Sequence, residues 1–177
     1  MTERRGLLGA LSRLFRTGPA PTSRVPAAPT PGGRETGRAD DSVTVEIAPP
    51  RPDALRITYA PDRDGEPDAG EIVWTWVPYA ENDGRGKDRP VLVVAREDAE
   101  HVFAVKLTSK SHDGDRDFLS IGTGPWDSQG RPSWVDIDQL YRVDVDGMRR
   151  EASALDLERF VRVADALHRR YGWAVGN

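Results

Sequence analysis

The sequence predicts a mainly β protein, a small antiparallel barrel or sandwich with one α-helix at its C-terminal end, preceded by an arm that does not fold. Three observations predict it. Runs rich in β-branched and aromatic residues, Ile72 to Val77, Val91 to Ala95, Val102 to Leu107, Phe118 to Ile121 and Trp134 to Ile137, follow one another at strand spacing. The connections between them are glycine-rich and carry no helical pattern, which argues against βαβ units. Only afterwards does a helical period begin, with Leu157, Phe160, Val161, Ala164, Leu167 and Tyr171 recurring at i, i+3, i+4 and i+7.

At the N-terminus, Leu7, Leu8, Leu11, Leu14 and Phe15 fall at helical spacing with Arg4, Arg5, Arg13 and Arg16 on the other face, so residues 1–16 have the pattern of a short basic amphipathic helix. About four turns are marginal for an isolated helix in water, and contact of this arm with a membrane is not the expectation. Arg13 and Arg16 interrupt the apolar stretch and no small-residue cleavage site follows, which argues against an export signal. Residues 17–41 are rich in Pro, Gly, Ala, Ser and Arg; with little apolar surface to offset the entropy of ordering, they read as a disordered linker. Residues 42–69 form an extension. In it Val43 to Ile47 and Leu55 to Tyr59 read as edge strands around the breaker Pro49-Pro50-Arg51-Pro52, and Asp62 to Ala69 is a turn. The body proper spans 70–177, its helix opened by Ser153 and Asp156 as a capping-box variant and closed by Gly172.

Composition bounds the function classes. A chain of 177 residues has room for one ordinary domain with a remainder, and 37% hydrophobic against 31% charged residues suits a soluble protein better than a membrane span. Without cysteine, disulfides and thiolate metal sites are excluded, and a cytoplasmic protein is the simplest expectation. Residues 1–40 carry seven arginines against Glu3, Glu35 and Asp40, a charge of +4; the whole chain carries −4, so the rest carries −8. An acidic body does not hold nucleic acid by indiscriminate phosphate neutralisation, so any RNA site must be local.

The chemistry concentrates where two strands end. In the run from Arg85 to Val94, Arg89 stands between a polar glycine-rich loop and a buried apolar strand, its fork expected on the loop side, ready for an anion such as a phosphodiester. Thr108 closes the run Val-Phe-Ala-Val-Lys-Leu and offers a hydroxyl donor. On residue type alone, Arg89 reads equally as a surface arginine paired with Asp88 or Asp83, and Thr108 as an ordinary strand threonine. The loops Tyr79 to Asp88 and Ser109 to Asp117 are expected to flank one groove. There Arg85, Lys87, Ser109 and Lys110 can contact flanking phosphates and Tyr79 or Trp76 can stack a base, while Trp74 is assigned to the core. His112, with Asp113 beside it, is the histidine best placed to act as a base near neutral pH; its other reading is a solvated loop side chain. No His cluster has metal-ligand spacing, and Gly122-Thr123-Gly124-Pro125-Trp126 lacks the Lys-Ser/Thr and following helix of a phosphate loop, so no metal or cofactor is expected.

Gly70-Glu71-Ile72-Val73-Trp74, then Arg89-Pro90-Val91-Leu92-Val93-Val94 and Leu107-Thr108-Ser109, resembles the toxin component of the PemK/MazF family of type II toxin-antitoxin systems. A looser likeness continues through Ser133-Trp134-Val135-Asp136-Ile137-Asp138 and the last helix, so the resemblance runs from Gly70 to Tyr171. It implies an SH3-like barrel with a C-terminal helix. It also implies a sequence-selective, metal-independent endoribonuclease that cleaves single-stranded RNA by 2′-hydroxyl attack, leaving a 2′,3′-cyclic phosphate and a 5′-hydroxyl. Arg89 and Thr108 match the pair given catalytic roles in relatives, and the resemblance further implies a homodimer, growth inhibition, and an antitoxin whose tail fills the RNA groove. This chain departs from the family in the 69 residues ahead of Gly70 and in a loop after Thr108 that carries both charge signs. A second reading therefore stands beside the first, a non-catalytic SH3-like module that binds a protein through the same groove.

Overall fold

The computed structural model describes residues 44–62, 65–79, 81 and 83–176. The helix expected over 1–16, the linker over 17–41 and the start of the first strand at Val43 lie outside the described residues. In chain order the strands are β1 (Val45–Ile47), β2 (Arg56–Ile57), β3 (Glu71–Pro78), β4 (Gly86–Arg96), β5 (His101–Thr108), β6 (Phe118–Gly122), β7 (Ser133–Asp136), β8 (Leu140–Asp144), β9 (Met148–Ala154) and, after helix α1 (Leu157–Tyr171), β10 (Ala174–Val175). An 8-stranded antiparallel sheet, curled into a half-barrel, runs in the order β1-β8-β5-β4-β3-β9, with β7 joining the last residues of β5 and β6 pairing β7. β2 and β10 form a separate parallel pair.

Alternation along each strand sorts side chains onto two buried faces. On one, Ile72, Leu92, Phe103, Val105 and Leu107 join a cluster with Phe160, Val163, Ala164 and Leu167 of α1. On the other, Val73, Val77, Val91, Val93, Val102, Ala104, Tyr141 and Val143 form a second cluster to which the helix contributes nothing. Trp74, assigned to the core from sequence, is only half-buried, and it shares its face of β3 with Trp76 because side chains two apart point the same way.

The extension ahead of Gly70 supplies core. Leu55 and Ile57 are buried in the helix-side cluster with Trp173, whose indole N–H donates to the Pro50 carbonyl at 3.0 Å, and the Tyr59 hydroxyl donates to the Leu155 carbonyl at 2.9 Å. Gly70 makes the approach possible: it holds a φ of 104°, and a Cβ there would lie 2.7 Å from the Tyr59 ring.

The helix begins differently from the capping-box reading. Ser153 lies in β9 opposite Ile72, and Asp156 is itself the N-cap, its carboxylate accepting from the Arg159 N–H at 3.0 Å. An aspartate directly ahead of Leu157 reaches the third amide unaided. Gly172 closes the helix as expected, in the left-handed conformation at φ 75° with its N–H donating to the His168 carbonyl at 2.7 Å. Asp156→Ala should lower stability by about 1 kcal/mol, seen as a lower denaturation midpoint at unchanged slope.

Candidate functional site

β4 carries a ladder on each side. Toward β3, Arg89 lies opposite Thr75 and Pro90 opposite Trp74. Toward β5, the ladder runs from Arg96 and Val102 to Val91 and Lys106, and stops there. Carried two residues further, that register would set Arg89 opposite Thr108; instead β5 turns to pair Thr108 with Trp134 of β7. Pro90, with no N–H to donate to a ladder, stands where the opening starts. Arg89 keeps the parity of Val91 and Val93, and Thr108 that of Lys106 and Ala104, so both belong to the face of the second cluster. A guanidinium and a hydroxyl therefore flank the mouth of a fork between two strands.

Arg89 is the fourth residue of β4 and not a loop-edge residue as the sequence suggested, because pairing with β3 extends to Pro78 and Gly86. For the same reason Lys87 lies in the strand, opposite Val77, and the loop shrinks to the turn between β3 and β4. Both carboxylates that competed for Arg89 are held by other arginines. Arg85 Nε is 2.7 Å from Asp83 Oδ2, and Arg149 Nη2 is 2.8 Å from Asp88 Oδ2. Among the described residues no ion pair includes Arg89. Burial lowers its pKa, an effect that Tyr79 and Tyr141 oppose. A guanidinium short of both water and carboxylate is receptive to an anion. Thr108 Oγ1 accepts the Lys110 N–H at 3.2 Å, which leaves its own proton to be donated elsewhere.

Beside the fork lies a polar group that the sequence reading missed. Lys106 Nζ is 3.2 Å from Asp136 Oδ2, donates to Gln139 Oε1 at 2.7 Å and lies 3.5 Å from the Tyr141 hydroxyl. That hydroxyl donates to the same Gln139 oxygen at 2.9 Å, and the other Asp136 oxygen accepts the Asp138 N–H at 3.0 Å. Burial, then Glu46 and Asp136, push the Tyr141 phenol well above its ordinary pKa against the pull of Arg89, so it stays protonated near neutral pH and acts as a donor. The signal for this group was present: Lys106 and Asp136 are single charges inside apolar strand runs.

His112 is held elsewhere. Its ring stacks on Phe118 at 3.5 Å between centroids, and its Nδ1 is 3.4 Å from Asp115 Oδ2. Asp113, the neighbour expected to orient it, instead accepts from Ser111 at 2.8 Å. Among the described residues no hydrogen bond, ion pair or ring contact joins His112 to Arg89 or Thr108. Ser109 and Lys110 are exposed where β5 ends, and the Arg85 guanidinium lies 6.0 Å from the centre of the Tyr79 ring at the β3–β4 turn. At the β4–β5 turn, Glu97, Asp98 and His101 bring ligand atoms within 4.8 Å of one another, a grouping that spacing did not reveal. Arg142 already supplies positive charge there, 2.7 Å from Glu97 and 3.2 Å from His101 Nδ1.

The fold and the fork together define a small β half-barrel that opens between β4 and β5 beside Arg89. Residues 68–170 match the family of the PemK-like, MazF-like toxin of type II toxin-antitoxin system; the match takes in more than half of the sequence, and the chain belongs to that family. Among solved structures, the chain is similar to MazE-MazF from Deinococcus radiodurans, at 22% identity over 60% of this chain and 96% of that one, with a TM-score of 0.44. It is similar to an endoribonuclease from a mycobacterial species at 18% identity, over 61% and 93% of the two chains, with a TM-score of 0.44. A third, the Mycobacterium tuberculosis toxin MazF-mt6, is 18% identical over 57% and 97%, with a TM-score of 0.41. No curated protein sequence matches the chain. No helix among the described residues is long and apolar enough to cross a membrane.

Proposed function

We propose that this chain is a metal-independent endoribonuclease toxin that cuts single-stranded RNA, with Arg89 and Thr108 holding the scissile phosphate. One observation carries the reading: in a member of the toxin family, a half-buried arginine that pairs with no carboxylate among the described residues stands on β4 where its ladder with β5 ends, and β5 closes on a hydroxyl donor. When the ribose 2′-hydroxyl attacks phosphorus, the non-bridging oxygens gain charge as the fifth ligand arrives. The Arg89 N–H groups and the Thr108 O–H are the donors able to share that charge, and they act more strongly where water is scarce. The 2′-oxygen gives up a proton, the 5′-oxygen gains one, and the products are a 2′,3′-cyclic phosphate and a 5′-hydroxyl. Arg89 is no candidate for the proton acceptor, since a guanidinium keeps its proton far above neutral pH.

Tyr79, Arg85, Lys87, Ser109 and Lys110 lie at the same end of the sheet, because β5 finishes beside the start of β4, and they suit contacts to neighbouring nucleotides that would give sequence selectivity. The reading includes a homodimer acting in the cytoplasm and an antitoxin that silences it by covering the fork. Purified protein incubated with single-stranded RNA in EDTA should leave cyclic-phosphate ends; intact RNA under those conditions would favour the non-catalytic binding module. His112→Ala should keep cleavage within about threefold, because the imidazole is occupied by Phe118 and Asp115, whereas a loss of about a hundredfold would make it the base.

A further inference from the structure

On the face that carries the fork, Lys106 is paired with a buried carboxylate beside Tyr141, and Arg89 acts on the same phenol from β4. Lys106 and Asp136 continue the register that pairs Thr108 with Trp134, so they face each other across β5 and β7, while Arg89 lies across the fork on β4. The Asp136 side chain is 6% exposed, so its oxygens depend on partners within the protein and not on water. Lys106 has three N–H donors and meets three acceptors, from Asp136, Gln139 and Tyr141. Its charge is fully engaged inside the protein. Tyr141 reports on the neighbourhood, since Asp136 raises its pKa and Arg89 lowers it: carboxylate and guanidinium act on one phenol. An arginine offers a carboxylate a two-pronged partner that a lysine cannot match, so Asp136 without Lys106 would draw Arg89 toward itself.

We propose that Lys106 is a positioning residue: by holding Asp136, it leaves the Arg89 guanidinium open to a phosphodiester and prevents the buried carboxylate from acting as an internal inhibitor. This role rests on the reading of Arg89 as the phosphate-binding group. The lysine touches no substrate.

The test compares Lys106→Met, Asp136→Asn and the double variant by RNA cleavage and by modification of Arg89 with phenylglyoxal, which attacks guanidiniums not held by carboxylates and is read by peptide mass. Lys106→Met should lower cleavage by about a hundredfold and protect Arg89, while Asp136→Asn and the double variant should stay within about threefold of the parent protein in both readouts. Recovery in the double variant is the decisive result, because a merely structural role for Lys106 would leave it as impaired as the single one. Should Lys106→Met fail to fold, Lys106→Gln removes the charge while keeping a hydrogen-bonding side chain, and the same results are expected. Arg89 equally reactive with and without Lys106, or a double variant no better than the single, would overturn the inference. A parent protein that shows the reactivity pattern yet leaves RNA intact would overturn the ribonuclease reading instead and leave the role of Lys106 standing for another anion.

Discussion

Arg89→Ala should lower RNA cleavage by about 10²–10³-fold, the usual loss when one preorganised donor to a developing oxyanion is removed. The loss should fall on kcat more than on KM, since the phosphorane carries more charge than the substrate phosphate and gains more from the guanidinium. Stability should change little, because no ion pair among the described residues depends on Arg89 and its backbone pairing with Thr75 survives the substitution. Arg89→Lys keeps the charge but not the fork and should recover only part of the rate. Initial rates at saturating RNA measure this. An alanine variant that cuts as fast as the parent protein would remove Arg89 from the chemistry.

Trp173→Ala should cost about 3–5 kcal/mol of stability, as expected for truncating a fully buried large aromatic. The ring stacks on Tyr171 at 4.4 Å between centroids, donates to the Pro50 carbonyl and sits in the cluster with Leu55 and Ile57. Its loss therefore opens a cavity and also releases residues 50–57 from the body, weakening the pairing of β2 with β10 that follows directly in sequence. Chemical denaturation followed by tryptophan-independent circular dichroism measures the change. A cost below about 1 kcal/mol would mean that the extension is not part of the cooperative core. Cleavage per folded molecule should be kept, because Trp173 belongs to the helix-side cluster and Arg89 to the opposite face.

Much of the sheet was legible because its strands announce themselves locally. Val91 to Ala95 and, apart from Lys106, Val102 to Leu107 are apolar runs that only a strand buried on both faces can use, and those apolar residues are found so buried. β8, with Leu140, Tyr141 and Val143, and β9 are not among the strands expected from sequence; in β9 Arg149, Arg150 and Glu151 have no preference for a strand, and the ladder with β3 imposes one. The depth of Leu55 and Ile57 was not legible either, because their cover comes from far along the chain, Trp173 lying 123 positions after Pro50.

The site divides in the same way. Arg89 and Thr108 each end or begin a conspicuous apolar run, so their places at the neighbouring ends of β4 and β5 were legible from motif and spacing. Lys106, Asp136, Gln139 and Tyr141 converge from β5, β7, β8 and the turn between them, which is a matter of register and not of local pattern. For His112 the local pattern says less than the fold does. The histidine is near Thr108 in sequence, but its loop is tied down by its stack on Phe118 and by Arg170 Nη1, which donates to Asp117 at 2.7 Å.

A crystal structure with a short, fully 2′-O-methylated RNA, in which the attacking hydroxyl is blocked, puts the proposed grip on the phosphate to the most direct test. One phosphate should lie within hydrogen-bond reach, about 3 Å, of both the Arg89 guanidinium and Thr108 Oγ1. RNA whose phosphates meet neither group, or an Arg89 turned onto Asp136 with RNA bound, would contradict it.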